Sequence, residues 1–304
     1  MRVACVDVGT NSARLLIADV EGAHELKTQA HIHRIIRLGE GVDASGRISV
    51  AALDRLATTL NEFAATAARC GAERLIVAGT SASRDAGNEV VKAVYGRTGL
   101  TFEILSGSQE AEWSFRGAMS ALPQVTGQVI TCDIGGGSTE FTFRGNQGME
   151  RCSVDLGSVR ITERFFKGQP PSARAVGRAR DFVQRSLQAV PQEYGGPLVG
   201  ASDTHRILAR LAGPESQALS RQVVAIWLER LLGMSRVEVR ALGPNLLAGR
   251  DDIFPAAVLI CHEAMVHLGR EHFAISERGL VHGLAIREQL RLTGTGTIAA
   301  KRPA

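Results

Sequence analysis

The sequence predicts an α/β protein of two similar lobes facing each other across a cleft, and three observations support this. A strand–Asp–glycine–hydroxyl turn occurs twice, strand-like and helix-like segments alternate in both halves, and 304 residues suffice for about two domains. The first copy of the turn is Asp7-Val8-Gly9-Thr10-Asn11-Ser12, closing the apolar run 3–6. The second is Asp133-Ile134-Gly135-Gly136-Gly137-Ser138-Thr139, closing the run 129–132. A new strand starts at once after each, over 14–20 and 140–143. Glycines let backbone N–H groups turn toward one point, and hydroxyls add donors, which suits phosphate oxygens. An Asp at a strand end can hold a hydrated divalent cation. The repeat therefore implies two lobes gripping one anionic substrate.

Residues 3–6, 14–20 and 31–38 read as strands, with a turn at Glu21-Gly22. Leu53, Leu56, Leu60, Phe63 and Ala67 recur at helical spacing, and Gly71 stops that helix. Residues 75–78 form a short buried strand, 85–95 a helix and 102–105 another strand. Ser108 caps a helix running to Met119, with Glu110 and Glu112 in its first turn. Leu122-Pro123 ends this unit, which sets lobes of 1–122 and 123–304, the first open to completion by the C-terminal helix. The second lobe opens with strands at 129–132, 140–143 and 149–154, then a helix at 158–166. Ser172 caps a helix to Val190, residues 198–200 form a short strand, and the remainder is helical apart from a strand at 272–275. The tail 294–304 is expected to be loose. Its Gly294-Thr295-Gly296-Thr297-Ile298-Ala299 matches a dinucleotide pattern but lacks the strand that must precede it.

Composition is that of an ordinary globular protein, 44% hydrophobic and 22% charged. The basic residues are mostly Arg, which binds phosphate in planar bidentate fashion, although codon bias gives the same composition. A net charge of +4 is too small to argue for nucleic acid, and 5% aromatic residues leave little for base stacking. Five scattered cysteines without a C-x-x-C pair argue against a disulfide framework. With no signal-peptide pattern and no apolar stretch long enough to span a bilayer, a cytoplasmic protein without membrane partners is expected. In the segment from Cys261 to His267 the two His are five apart, so they do not share a helical face as zinc ligands.

The opening segment, from Asp7 to Leu15, resembles that of the exopolyphosphatase / guanosine pentaphosphate phosphohydrolase family. Thr80 to Asn88, Ile104 to Ala111, Asp133 to Glu140 and Asp155 to Arg160 resemble further family segments in the same order. Arg37-Leu38-Gly39-Glu40-Gly41 fits as well. The resemblance implies two ribonuclease-H-like lobes of the actin-like ATPase and sugar-kinase superfold, in the short two-domain form. It also implies Mg²⁺-dependent release of terminal phosphate from inorganic polyphosphate, or alternatively from guanosine pentaphosphate, by a homodimer.

By the same resemblance Glu110 is the water-orienting base, although a Glu there also simply suits a helix start. Glu140 has a place in water or metal binding, and Asp7 and Asp133 anchor Mg²⁺ through waters. Phosphate falls to Thr10, Asn11, Ser12, Gly135, Gly136, Gly137, Ser138 and Thr139, with Arg84 as the main cation. Gly157, Ser158 and Arg160 close the site from the second lobe. Arg14 is open between ligand and structural ion pair. Three departures stand out. The family's Gly-Gly-Thr turn is replaced by Gly200-Ala201-Ser202-Asp203-Thr204, whose acidic side chain is expected to narrow the channel or repel substrate. A family Arg is missing at Val281-His282, with Arg278 or His282 as possible replacements, and Gly79 stands for an Ala with little expected effect. These departures keep a non-catalytic alarmone or polyphosphate sensor open as an alternative. A sugar or acetate kinase of the same superfold fits the Thr80 and Glu110 segments less well.

Overall fold

The computed structural model describes residues 1–21, 25–146, 148–213 and 216–292. The first lobe contains β1 (Arg2–Val8), β2 (Ser12–Glu21), β3 (Glu25–Ile35), α1 (Val42–Ser45), α2 (Val50–Arg69), β4 (Arg74–Gly79), α3 (Ser81–Ala86), α4 (Asn88–Thr98) and β5 (Glu103–Ile104). The helix α5 (Gly107–Met119) leads out of it. The second sheet is built from β6 (Val129–Ile134), β7 (Thr139–Gly145), β8 (Gly148–Val154), β9 (Leu198–Gly200), β10 (Ala218–Ser220) and β11 (His272–Ile275). Around it run α6 (Ser158–Phe165), α7 (Ala173–Leu187), α8 (Asp203–Ala212), α9 (Arg221–Leu232), α10 (Arg236–Ala241) and α11 (Phe254–His267). The last described helix is α12 (Leu280–Leu292).

The sheets run β3-β2-β1-β4-β5 and β10-β11-β9-β6-β7-β8. In each, an antiparallel three-strand meander continues into parallel strands through helical crossovers. The duplicated turns join β1 to β2 and β6 to β7 in the same register. Asp7 sits opposite Arg14 as Asp133 sits opposite Glu140, and both turns close with a 2.9 Å bond, from the Gly9 N–H to the Ser12 carbonyl and from the Gly135 N–H to the Ser138 carbonyl.

Side chains of a strand alternate between faces, and β1 is buried on both. Ala4, Val6 and Val8 pack with Leu56, Leu60 and Phe63 of α2, while Val3 and Cys5 face Leu284, Ala285 and Ile286 of α12. The chain thus returns at its end to complete the core of the first lobe. On the way α12 crosses α5 almost backbone to backbone. A Cβ on Gly283 would lie 1.8 Å from the Trp113 carbonyl oxygen, and one on Gly117 would lie 2.0 Å from that of Gly279.

Several local expectations shift. The third strand starts at Glu25 and ends at Ile35, earlier than expected, because the amides of Ile36 and Arg37 bond the Asn11 carbonyl and tie the exit chain to the first turn. The helix expected at 85–95 is two helices, broken at Gly87 with φ 65°. Ser106, not Ser108, caps α5, because Ser106 and Gln109 form a reciprocal capping box. The turn at Glu21-Gly22, the tail and its dinucleotide-like segment fall wholly or partly outside the described residues. Gly79 matters more than expected: Phe102 and the Ser83 hydroxyl would each lie 2.5 Å from a Cβ there.

Gly283→Ala forces α5 and α12 apart and is expected to cost about 1–3 kcal/mol, the usual penalty of overpacking. Urea unfolding monitored by circular dichroism measures it; unchanged stability would mean that the helices slide freely.

Candidate active site

Both turns open onto one interlobe cavity of about 80 Å³. Thr10, Asn11, Ser12, Gly135, Gly136, Gly137, Ser138 and Ser158 all line it, together with Asp7, Asp133 and Glu110. The glycines of the turns are not in the left-handed region. They are small because the lobes leave no room. A Cβ on Gly136 would lie 2.8 Å from Thr10, and one on Gly137 would lie 2.5 Å from the Ser81 hydroxyl. The amides of Gly9 and Gly135 close the turns, whereas those of Thr10, Asn11, Gly136, Gly137 and Ser138 find no acceptor among the described residues. The Ser81 hydroxyl on the same wall is buried without a partner. The helices α5, α6 and α8 also present residues of their first turns to the cavity, an arrangement favourable to anions.

Four expected residues sit behind this wall rather than on it. Thr139 is fully buried and spends its hydroxyl on the Leu156 carbonyl at 2.5 Å. Gly157 packs on the Gly136 backbone, so its role is to let the loop lie flat. Arg84 donates to Glu110 at 2.5 Å, to the Leu105 carbonyl at 3.1 Å and to the Ser138 hydroxyl at 3.2 Å. Glu140 is turned from the cavity: it accepts from the Ser153 hydroxyl at 2.9 Å and lies 3.7 Å from Arg84. Glu110 is the one carboxylate of this trio on the cavity wall.

One arginine therefore serves two buried carboxylates. Burial, then the charge of Glu140, pushes Glu110 well above the usual carboxylate range, and Arg84 only partly opposes this. Burial likewise lifts Glu140 to about 7. Both carboxyls therefore hold their protons above the range of an ordinary exposed acid.

Arg14 resolves as an ion-pairing residue on the cavity wall. It donates to Asp7 at 3.0 Å and to Asp203 at 2.7 Å. Burial raises Asp7 to about 6 despite Arg14, with Asp133 adding to the rise. Asp133 accepts a bond from the Ser114 hydroxyl. Asp203 is not a bare repulsive charge, because Arg14, Arg206 and Arg250 converge on it. Together they overcome its burial and hold it well below the usual range.

Neither candidate for the missing family arginine reaches the cavity. Arg278 donates to the Ser120 carbonyl and hydroxyl, and burial holds His282 neutral down to about 3. Arg160 clamps the seam outside, bonding the Gly137 carbonyl, Asp43 of α1 and Asp85 of α3. On the opposite side Arg250 donates to His33 at 2.7 Å and Arg37 pairs with Asp252 at 2.9 Å. Sequence reasoning missed Arg250 and Ser81 as cavity residues. Ser81 lay inside a quoted segment, whereas Arg250 sits in a loop with no local signature.

Like lobes that close two glycine turns over a buried carboxylate define a two-lobed α/β protein with a site suited to a phosphate group. The chain belongs to the Ppx/GppA phosphatase family, whose model matches residues 16–292. It is 36% identical to exopolyphosphatase 2 of Mycobacterium tuberculosis, over 94% of this chain and 98% of that one. An exopolyphosphatase-like protein of known structure superposes with a TM-score of 0.87 at 28% identity, covering 96% and 98% of the two chains. The Ppx/GppA protein of Aquifex aeolicus does so with 0.79 at 27%, over 96% and 98%.

Arg84→Met leaves Glu110 and Glu140 buried without their cation. The expected cost is about 3–5 kcal/mol at pH 8, as for other broken buried pairs. It shrinks at pH 5, where carboxyls with raised pKa carry their protons. Denaturant midpoints at the two pH values test this; an equal loss at both would contradict the shared-cation account.

Proposed function

We propose that this chain hydrolyses the terminal phosphoanhydride of inorganic polyphosphate and releases orthophosphate. The observation that carries this reading is Glu110, a buried carboxylate of raised proton affinity, facing the cavity onto which both glycine turns open. The exopolyphosphatase names of its relatives point to the same substrate.

The end phosphate enters between the turns. Unspent amides of Thr10, Asn11, Gly136, Gly137 and Ser138, with the Ser12 and Ser81 hydroxyls, receive its oxygens. Glu110 orients a water and takes its proton as the water oxygen bonds to phosphorus. The bridging P–O bond breaks, and the shortened chain leaves with the electron pair. Arg84, held by Glu110 and Glu140, fixes the base and braces Ser138.

Among the described residues no three His, Cys, Asp or Glu side chains gather to hold a cation by themselves. Asp7 and Asp133 nonetheless suit Mg²⁺, which keeps several waters and needs only one or two carboxylates beside phosphate oxygens. Burial is the main cause of the raised Asp7; Arg14 opposes it only in part, and the charge of the neighbouring Asp133 adds to it. When bound there, the ion would neutralise charge on the phosphoryl group. The same parts serve the 5′-phosphate of guanosine pentaphosphate, so substrate choice is decided by comparing kcat/KM for the two.

Glu110→Gln is expected to keep ligand binding and to lose at least about 10²-fold in phosphate release. Turnover equal to that of the unmodified protein would remove Glu110 from the mechanism.

A base must be deprotonated, so the raised pKa of Glu110 moves the rise of kcat with pH above the range of an ordinary carboxylate. Because the charge of Glu140 raises Glu110, Glu140→Gln should move that rise to lower pH. A pH–rate profile that stays in place or moves upward would show the two carboxyls to be independent.

A further inference from the structure

Asp203 stands at the start of α8, on the cavity wall beside Arg14 and Arg250. Its Oδ2 accepts from Arg14 at 2.7 Å and also from Arg250, and its Oδ1 accepts from Arg206 at 2.7 Å. Two of these arginines carry unspent capacity. Arg14 Nε is buried with no partner. Arg250 engages both Asp203 and His33 through a single nitrogen, Nη2. Arg206 is committed otherwise, to the Ala201 and Ser276 carbonyls at 2.9 Å each.

Planar guanidinium groups converging on anionic oxygens are also how proteins bind a phosphate group. The substrate proposed above is a chain of phosphates whose end lies at Glu110. Its next phosphate needs cations a few ångströms further along the same cavity, and the cations lining it there are Arg14 and Arg250.

We infer that Asp203 is a specificity-determining residue: its carboxylate occupies the seat in which Arg14 and Arg250 would hold the penultimate phosphate of the substrate. The inference rests on the hydrolase reading for the nature of the anion but not on turnover. An internal anion in that seat weakens ground-state binding of polyanions while leaving the cradle for the end phosphate intact. Binding that is not spent in the ground state raises KM and leaves kcat in place, and it lets the shortened product leave.

The test is binding of tripolyphosphate without divalent metal, by calorimetry, to the unmodified protein and to Asp203→Asn, which keeps the shape and removes the charge. The variant is expected to bind on the order of tenfold tighter, with the gain shrinking as salt rises. Its Tm falls without ligand, since three arginines lose their counter-charge, and tripolyphosphate raises it more than it raises that of the unmodified protein. An Asp203→Asn protein that folds only with tripolyphosphate present supports the same conclusion. A folded variant that binds no tighter and gains no extra Tm would show that Asp203 merely anchors the arginines, and so would a variant that no tripolyphosphate restores. If the unmodified protein releases no phosphate from any chain while the variant still gains affinity, the seat stands and the hydrolase reading falls.

Discussion

Everything at the centre of this molecule depends on how closely two turns approach each other. Gly136 and Gly137 of one lobe lie against Thr10 and Ser81 of the other with no space for a single added carbon. This contact sets the width of the cavity, brings unspent amides from both lobes to one place and lets Arg84 of the first lobe reach Ser138 and Glu140 of the second. Glycine here supplies absence of bulk, not unusual backbone angles, and the small residues that surround it serve the same end.

A second constraint is electrostatic. The cavity wall carries Asp7, Asp133, Glu110 and Asp203, a dense negative set for a site meant to receive an anion. The fold manages this by compensating the carboxylates to different degrees. Asp203 is fully compensated by three arginines, Glu110 shares one arginine with Glu140, and Asp7 shares Arg14 with Asp203. The outcome is a graded series, from Asp203, held well below the usual range, through Asp7 at about 6, to Glu140 at about 7 and a raised Glu110. Such separation of proton affinities among like groups distinguishes acid–base work from simple ion pairing.

Much of this was legible in the sequence. The duplicated Asp–glycine–hydroxyl turn announced the two lobes, because strand pairing and turn chemistry are local properties. The position of Glu110 in the first turn of its helix was equally local, even though its cap was misplaced by two residues. What could not be read was the partner of each charge. Glu140 follows its turn just as Arg14 follows the other, yet one faces Ser153 and the other Asp203, and only the assembled lobes decide that. The acidic residue in the altered turn looked repulsive because Arg206 and Arg250 meet it only in three dimensions. The neutrality of His282 likewise follows from burial of the first turn of α12, which no spacing rule encodes.

The return of α12 to the first sheet has a consequence for how the chain is made. Val3, Cys5, Leu16 and Ala18 leave the ribosome well before the helix that covers them, which spans residues 280–292. Until that helix emerges one face of the first sheet has no cover, while the second sheet gathers most of its own core from the residues that follow it. Vectorial synthesis therefore favours the later lobe as the first to reach its final packing, with the earlier one sealed only once residues 280–292 have emerged. The order in which the lobes become protease-resistant on stalled ribosomes is expected to run opposite to their order in the sequence.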